Sequence, residues 1–407
     1  MSAPTRPTAP SAIPAQVRRQ ELTLPGLLLG AALTVGAFVA LAAVLAQVPS
    51  SNQALPDYAT WLQAVPDGVT ERVQWVLGDI TEPQFYKSWI ASLGLLIGAT
   101  FAWAALRAKK SWAGEPIAYG SGLWPWMLAA AGLSLIVSNI AFGPSLGSGW
   151  QPTFVPFVSV ASSVVLIYGA GWRNVLTGAL LGALTTPLAM VLIDHGTGPL
   201  GLPPVVANTT SMAIGAALTF LLCRTLPWMT RPSPQPELQE ETVAVKERTP
   251  TLFGDAVWTV RRIINDFTET QFYANEWASI GLIIGAVVTV LLNPEFGSYG
   301  TGLLPRIMVA QALTSAVGII VWRHLYRGGG WAPTYISVVS VAPASVLAHG
   351  NSIAALVLGA VCGALVCPAI ARPISSALPG DFHPFIGNVI AMAVATSIIV
   401  PTVGLLV

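Results

Sequence analysis

Polar side chains inside long apolar runs are the candidates for chemistry in this sequence. They are amides, hydroxyls and one guanidinium, groups that bind a small solute by hydrogen bonds without making or breaking covalent bonds. In hydrocarbon such groups cost free energy unless they are paired, so they mark a possible pathway. We therefore predict a substrate site formed by Thr153, Ser159, Asn208, Arg306, Gln311, Thr334, Ser340 and Asn388.

Each of these residues also has a structural interpretation. Asn208 and Asn388 occupy equivalent places, in ANTTSMA and GNVIAMA, and could simply bond two helices to each other. Arg306 could bind an anion bidentately, or extend its guanidinium to the lipid headgroups. The Gly-Trp-x-Pro-Thr segments that precede Ser159 and Ser340 could line a cavity or form interfacial turns.

Signatures of catalysis are missing from the sequence. It contains no G-x-S-x-G, no P-loop, no H-E-x-x-H and no G-x-G-x-x-G between a strand and a helix. Two of the four histidines, His195 and His383, follow an aspartate in predicted loops, which is typical of solvated sequence. The three cysteines fall in apolar runs without a partner at zinc-ligand spacing. We predict no enzymatic activity, no cofactor and no metal.

The composition indicates a protein that crosses the membrane many times. Of 407 residues, 54% are hydrophobic and 9% are charged, whereas soluble domains carry about 25% charged residues. Several apolar runs reach the roughly 20 residues that span a bilayer. The net charge of +1 argues against a nucleic-acid partner. Membrane lipid is the expected surrounding.

The chain contains an internal duplication. TEPQFYKSWIASLGLLIGA at 81–99 returns as TETQFYANEWASIGLIIGA at 268–286, and YGSGLWPWMLAA at 119–130 returns as YGTGLLPRIMVA at 299–310. Three further blocks follow in the same order. We predict one extra N-terminal helix and two repeats of five spans each, about eleven transmembrane helices in all. An odd number of spans per repeat inverts the second copy in the membrane.

The predicted spans and segments follow from these runs. The extra helix occupies 23–48, the first repeat 69–226 and the inverted second repeat 255–407. A disordered segment, 1–22, precedes them, and a Pro-rich linker, 227–254, joins the repeats. The predicted spans within the repeats are 88–106, 122–142, 152–169, 174–193, 204–224, 276–293, 303–323, 332–349, 352–371 and 384–406.

Positive charge predicts the orientation. With a cytoplasmic N-terminus and alternating spans, all lysines and arginines except Arg72, Lys87 and Arg306 fall on the cytoplasmic side, 16 of 19. The C-terminus then lies outside. The Ala/Pro/Gly-rich composition suggests a bacterial inner membrane. Short amphipathic stretches at 69–80 and 255–267 precede the duplicated motifs and could lie in the interface.

These observations favour a permease for a small solute. The scarcity of charge within the spans predicts a neutral or singly charged substrate, and Arg306 favours an anion. The phrase Q-F-Y…G-L-x-I-G is loosely similar to the start of a urea-channel repeat, over about twenty residues and without that family's Asn-Pro pattern. The resemblance implies an alternative, a passive pore for a small neutral solute. A non-transporting scaffold is the third alternative, and a homo-oligomer is compatible with the small-residue helix faces.

Overall fold

The computed structural model describes residues 22–143, 149–231, 250–328 and 332–407. The regular secondary structure of these residues is entirely helical, with no strand among them. The predicted segment 1–22 and the central part of the predicted linker 227–254 lie almost entirely outside the described residues. So do residues 329–331, which include the glycine and tryptophan of the second Gly-Trp-x-Pro-Thr segment.

Sixteen α-helices follow one another along the described chain. They are α1 Leu24–Leu45, α2 Tyr58–Ala64, α3 Val69–Asp79, α4 Trp89–Arg107, α5 Trp124–Phe142, α6 Val160–Tyr168, α7 Trp172–Ala183, α8 Thr185–Leu192, α9 Pro204–Cys223, α10 Leu252–Asp266, α11 Glu276–Leu292, α12 Gly297–Gly300, α13 Leu304–Val321, α14 Val341–His349, α15 Ile353–Ala377 and α16 Phe385–Gly404.

Nine helical segments of the described chain are long and apolar enough to cross a membrane, so the protein is a multi-pass membrane protein. Two of the eleven predicted spans, 152–169 and 332–349, instead contain the shorter helices Val155–Tyr168 and Ser337–His349. Each of these begins as a 3₁₀ turn and then breaks at a serine with non-helical angles, Ser159 (φ −134°, ψ −113°) or Ser340 (φ −144°, ψ −91°). Length alone therefore supports nine spans.

The two halves of the chain repeat unusual backbone conformations. Phe85 has φ 66° and Phe272 has φ 63°, the left-handed region that residues with a Cβ seldom adopt. Each phenylalanine ends a 3₁₀ turn, and its amide donates to the carbonyl oxygen of Glu82 or Glu269. The aligned sequences thus fold alike in detail.

Helices α4 and α11 cross at their glycines. Both contain a G-x-x-x-G pattern, and Gly94 and Gly281 meet at the centre, where a Cβ added to either would overlap the carbonyl oxygen of the other. Small residues allow backbones to approach this closely, so dispersion contacts and not side-chain burial hold the pair together.

The remaining contacts of this crossing are reciprocal. Gly98 of α4 lies against the backbone of Ala278 in α11, and Gly285 of α11 lies against the backbone of Ala91 in α4. Because the later glycine of each helix meets the earlier turn of the other, the two helices run antiparallel.

A pair of buried amides lies between the halves. Gln84 Nε2 donates to Gln271 Oε1 (2.9 Å), and Gln271 Nε2 donates to Gln84 Oε1 (3.0 Å). Each amide also reaches across the pair, Gln84 to the Phe267 carbonyl (2.8 Å) and Gln271 to the Ile80 carbonyl (3.0 Å). Burial makes these bonds obligatory, since an unpaired amide there would cost the full desolvation penalty.

The turns that precede α5 and α13 are exchanged between the halves. The Ala118 amide of the first half donates to the Tyr273 carbonyl of the second (3.3 Å), and the Ser298 amide of the second donates to the Tyr86 carbonyl of the first (2.8 Å). The halves therefore interlock, and their interface is continuous with the protein core.

The amphipathic stretches form α3 and α10, as the sequence predicts. α10 packs on the N-terminal helix, where Gly30 of α1 approaches Ala256 and Thr259 so closely that a Cβ would overlap them. Thr23 of the same region donates through both its amide (3.0 Å) and its hydroxyl (2.6 Å) to Asp255. The extra helix is thus fastened to the second half.

Gly94→Ala is expected to destabilise the protein by about 3 kcal/mol or more, because two backbones must separate to admit the methyl group. Gly132→Ala is the matched control: it also lies inside a helix, in α5, but its Cβ would meet nothing within 4 Å. We expect that change to be neutral or slightly stabilising. Thermal unfolding in detergent compares them, and equal effects would contradict the close crossing.

Candidate functional site

A cavity of about 570 Å³ lies between the two halves. Both halves line it with side chains from aligned positions, such as Phe85 with Phe272 and Met212 with Met392. Its described lining consists of Tyr58, Glu82, Pro83, Phe85, Trp150, Phe154, Val158, Gly201, Leu202, Pro203, Pro204, Val205, Asn208, Thr209, Met212, Thr270, Phe272, Tyr299, Tyr335, Val339, Ala344, Leu347, Ala348, Phe385, Val389 and Met392. Its size is that of a small-molecule site.

One end of the cavity, here called the open end, reaches the protein surface. Gly201, Pro204 and Ala348 belong to the lining and are exposed. Trp150 and Tyr299 lie in the same wall, and both donate to Glu82 Oε1, Tyr299 at 3.3 Å. A polar, aromatic rim therefore surrounds the entrance.

The opposite end, here called the closed end, is covered by the segment 378–384 between α15 and α16. His383 packs edge-on against Phe272, with ring centroids 5.4 Å apart, and Phe272 packs against Phe385 at 5.7 Å. Phe382 packs against Phe220 in a tilted arrangement, with ring centroids 5.5 Å apart. The cavity lining at this end is buried.

An ion pair fastens the covering segment. Arg224, just after α9, donates through Nε (2.6 Å) and Nη2 (2.8 Å) to the carboxylate of Asp381. This bidentate bond holds the pKa of Asp381 below its usual value. Arg224 also lies over the Phe382 ring, 5.1 Å from its centroid. These contacts form a latch between α9 and the 378–384 segment.

The open end has no such latch among the described residues. Aligning Asn208 with Asn388 places Gly201 at the position of Asp381, Leu202 at Phe382 and Pro203 at His383. The first half thus lacks the carboxylate and the aromatic plug that close the second. Closure at one end only follows from this sequence difference.

A buried charged cluster supports the wall beside the open end. Lys87 is fully buried and pairs with both Asp79 and Glu82, which are also buried. Its ammonium lies 3.4 Å from the centroid of the Trp75 ring. Asn139 Nδ2 donates to the second oxygen of Asp79 (2.9 Å). We call Asp79, Glu82 and Lys87 the first triad.

The second half contains an equivalent cluster, but its cation comes from a different position in the aligned sequence. Asp266 and Glu269 align with Asp79 and Glu82, but Arg262 now pairs with both carboxylates, at 2.8 Å from Asp266. Arg262 aligns with Trp75, and Ala274 aligns with Lys87. Ser315 Oγ donates to Asp266 (2.6 Å). We call Arg262, Asp266 and Glu269 the second triad.

The triads were not predicted from the sequence. The interpretation that the protein buries little charge is wrong, and Lys87, assigned to an outside loop, lies in the interior. The alignment contained the signal, since both acids of each triad fall at matching positions. It was obscured because the cations do not align, and only the fold brings Arg262 and Lys87 to equivalent carboxylates.

The predicted asparagines lie at the cavity. Asn208 lines it directly, is 3% exposed, and its Oδ1 accepts no hydrogen bond from any described residue. Asn388 is buried behind the lining and donates through Nδ2 to the hydroxyl of Tyr335 (3.0 Å), which does line the cavity. The two asparagines do not bond each other across the halves; Asn388 instead bonds α16 to the segment before α14 within the second half.

The predicted hydroxyl residues are buried near the broken helices. Ser159 Oγ donates to the Val155 carbonyl (2.8 Å) and Ser340 Oγ to the Ile336 carbonyl (2.7 Å), so each serine satisfies a carbonyl freed by the break. Thr153 accepts from Trp75 Nε1 (2.9 Å). Thr334 shares a hydrogen bond with the Tyr326 hydroxyl (2.8 Å). None of these hydroxyls belongs to the cavity lining.

The remaining two predicted residues lie apart. Gln311 is fully buried, accepts from the Tyr86 hydroxyl (2.7 Å), and donates to the carbonyls of Gln84 (3.1 Å) and Val338 (2.9 Å). Arg306 donates to the carbonyl of Asn351 (2.7 Å) in the loop before α15 and is not part of the cavity lining. Its described contacts are those of a helix-end arginine.

No protein-family model matches the chain, and no curated protein matches its sequence.

Lys87→Ala should destabilise the protein by about 3–5 kcal/mol, because it leaves two buried carboxylates without a cation. Adding Trp75→Arg copies the arrangement of the second triad and should recover at least about 1.5 kcal/mol of that loss. Denaturant titration of both single variants and the double variant completes the cycle. If the stability lost in the double variant equals the sum of the losses in the two single variants, an arginine at position 75 does not replace Lys87, and the two triads are not equivalent.

Acidification should loosen the closed end. The Phe385 amide donates to His383 Nδ1 (3.1 Å), which requires a neutral imidazole, and burial lowers the pKa of His383 to about 4. Because the folded pKa is depressed, this stability is present above the usual pKa of 6.5 and is lost as the pH falls towards 4.

The expected loss at pH 5 is on the order of 1 kcal/mol, measured as the change in thermal stability from pH 7.5. His383→Gln should reduce this pH dependence, whereas His195→Gln, at an exposed position in the π-helical turn Ile193–Thr197, should leave it unchanged. An unaltered profile in His383→Gln would exclude His383 as its source.

Proposed function

We propose that the protein is a permease that moves a small polar or singly charged solute across a membrane by alternating access. Two inverted five-helix repeats would rock about a site between them. The observation that carries the proposal is a cavity lined by both halves, open at one end and latched at the other.

The antiparallel crossing of α4 and α11 supports the inverted arrangement. Contacts between aligned residues are reciprocal, as in a two-fold interface, and they pair Gly98 with Ala278 and Gly285 with Ala91. A two-fold axis that relates antiparallel helices is perpendicular to them. For membrane-spanning helices this axis lies in the plane of the membrane.

The positions of the loops support the same topology. Ala348, Gly201 and Tyr299 meet at the open end, and all three fall outside in the orientation predicted from positive charge. Arg224 and Asp381 meet at the closed end, and both fall on the cytoplasmic side. In the proposed orientation, in a bacterial cytoplasmic membrane, the cavity is open to the outside.

A carrier and a passive pore differ in how the two ends are coupled. The double variant Asp381→Gly, Phe382→Leu gives the closed end the residues of the open end and removes the latch. In a carrier, opening that end should favour the opposite state and close the first entrance. In a pore, both ends would be open together.

Two reporter cysteines measure this coupling in chains whose native cysteines are replaced by alanine. Met392→Cys lies in the buried lining and Ala348→Cys at the open end. In the latch variant, an impermeant maleimide should label the first from the closed side several-fold faster and the second several-fold more slowly. Asp67→Cys, at an exposed loop, controls for general reactivity. Faster labelling of Met392→Cys with unchanged labelling of Ala348→Cys would establish a pore.

A further inference from the structure

We propose that the cavity selects organic cations, specifically ammonium compounds with an apolar body. The proposal rests on the proposed function and names its substrate class. It reverses the expectation from the sequence, in which Arg306 favoured an anion.

The charge of the described lining has one sign. Glu82 is its one ionisable acid, and no lysine, arginine or histidine belongs to it. Lys87 does not neutralise this wall, because its single ammonium is shared between Glu82 and Asp79. Trp150, Tyr299 and Asn139 supply neutral donors only. Burial raises the pKa of Glu82 to about 7 against the opposing effect of Lys87. When Glu82 is ionised, the first triad carries one net negative charge beside the open end, in surroundings where screening by water is weak.

Aromatic rings form much of the wall. Trp150 and Tyr299 flank Glu82 at the rim, and Phe85 and Phe272 lie further in, with the remaining rings at Tyr58, Phe154, Tyr335 and Phe385. Ring faces attract cations, most strongly for tryptophan and for desolvated ions, and repel anions. The same rings provide the apolar surface that an alkyl or aryl body requires.

An unused acceptor lies inside the cavity. Asn208 Oδ1 is buried and accepts no hydrogen bond from the described residues, although such a buried atom normally has a partner. An N–H donor of the solute would satisfy it. Asn208 thus calls for a hydrogen-bond donor, which a carboxylate ligand could not supply.

Ligands matched in size test the inference by direct binding. The probes are 2-phenylethylamine, protonated at pH 7, neutral 2-phenylethanol, and phenylacetate, titrated by calorimetry into wild-type protein. We expect the amine to bind at least tenfold more tightly than the alcohol, and phenylacetate not to bind. Equal binding of all three, tighter binding of phenylacetate, or no binding of the amine would overturn the inference.

Variants assign the effect to residues. Glu82→Gln leaves Lys87 and Asp79 as a balanced pair and should weaken binding of the amine about tenfold without changing that of the alcohol. Asn208→Leu should weaken both. Asp67→Asn removes an exposed carboxylate and should change neither. If Glu82→Gln does not fold, the comparison of ligands in wild type still decides the question.

Counterflow of labelled 2-phenylethylamine in proteoliposomes separates this inference from the proposed function. Selective binding of the amine without counterflow would support the cation site and contradict the permease function. If the alcohol and phenylacetate show counterflow at the same rate as the amine, the result would support the permease function and contradict the charge selectivity.

Discussion

The backbone contact between α4 and α11 is the constraint on which the rest of the structure depends. No side chain separates the helices at Gly94 and Gly281. The position and direction of each helix therefore determine the position and direction of the other. The amide pair of Gln84 and Gln271 adds a directional requirement at the same interface. Glycine contact alone would tolerate sliding, whereas two buried amides can be satisfied in only one register. This interface therefore determines where the cavity between the halves lies.

The two triads pair equivalent buried carboxylates with cations from different positions of the chain. Each half places one carboxylate at the last residue of its amphipathic helix, Asp79 or Asp266, and another in the following turn, Glu82 or Glu269. Burial makes a nearby cation necessary. The first half supplies Lys87 from the chain after the turn, and the second supplies Arg262 from the helix before it. Each solution leaves one carboxylate in excess. In the first half, Glu82 also belongs to the cavity lining.

The two halves of the chain differ more at the ends of the cavity than at its centre. The aligned phenylalanines, Phe85 and Phe272, keep the same left-handed conformation and both line the cavity. The covering loops differ, because Asp381 has a partner in Arg224 while its counterpart is Gly201. The latch is partly solvent-exposed, and exposed ion pairs contribute about 1 kcal/mol or less. A latch of that strength can hold one state without making the other inaccessible, as the proposed rocking requires.

The sequence by itself determined the membrane class, the duplication and the amphipathic helices, because apolar run length and repeated motifs are local properties of the chain. It also singled out Asn208, which lines the cavity. It also indicated that the spans containing Ser159 and Ser340 are interrupted, since glycine and proline act on their neighbours. Only the tertiary structure decided which charges are buried together. Arg262 and Lys87 occupy unrelated positions in the alignment, and the fold alone brings them to matching carboxylates. Nor could the sequence separate Gln311, whose amide is used by backbone carbonyls, from Asn208, whose oxygen faces the cavity. Both are amides in apolar runs, and what distinguishes them is the set of atoms that packing places around each one.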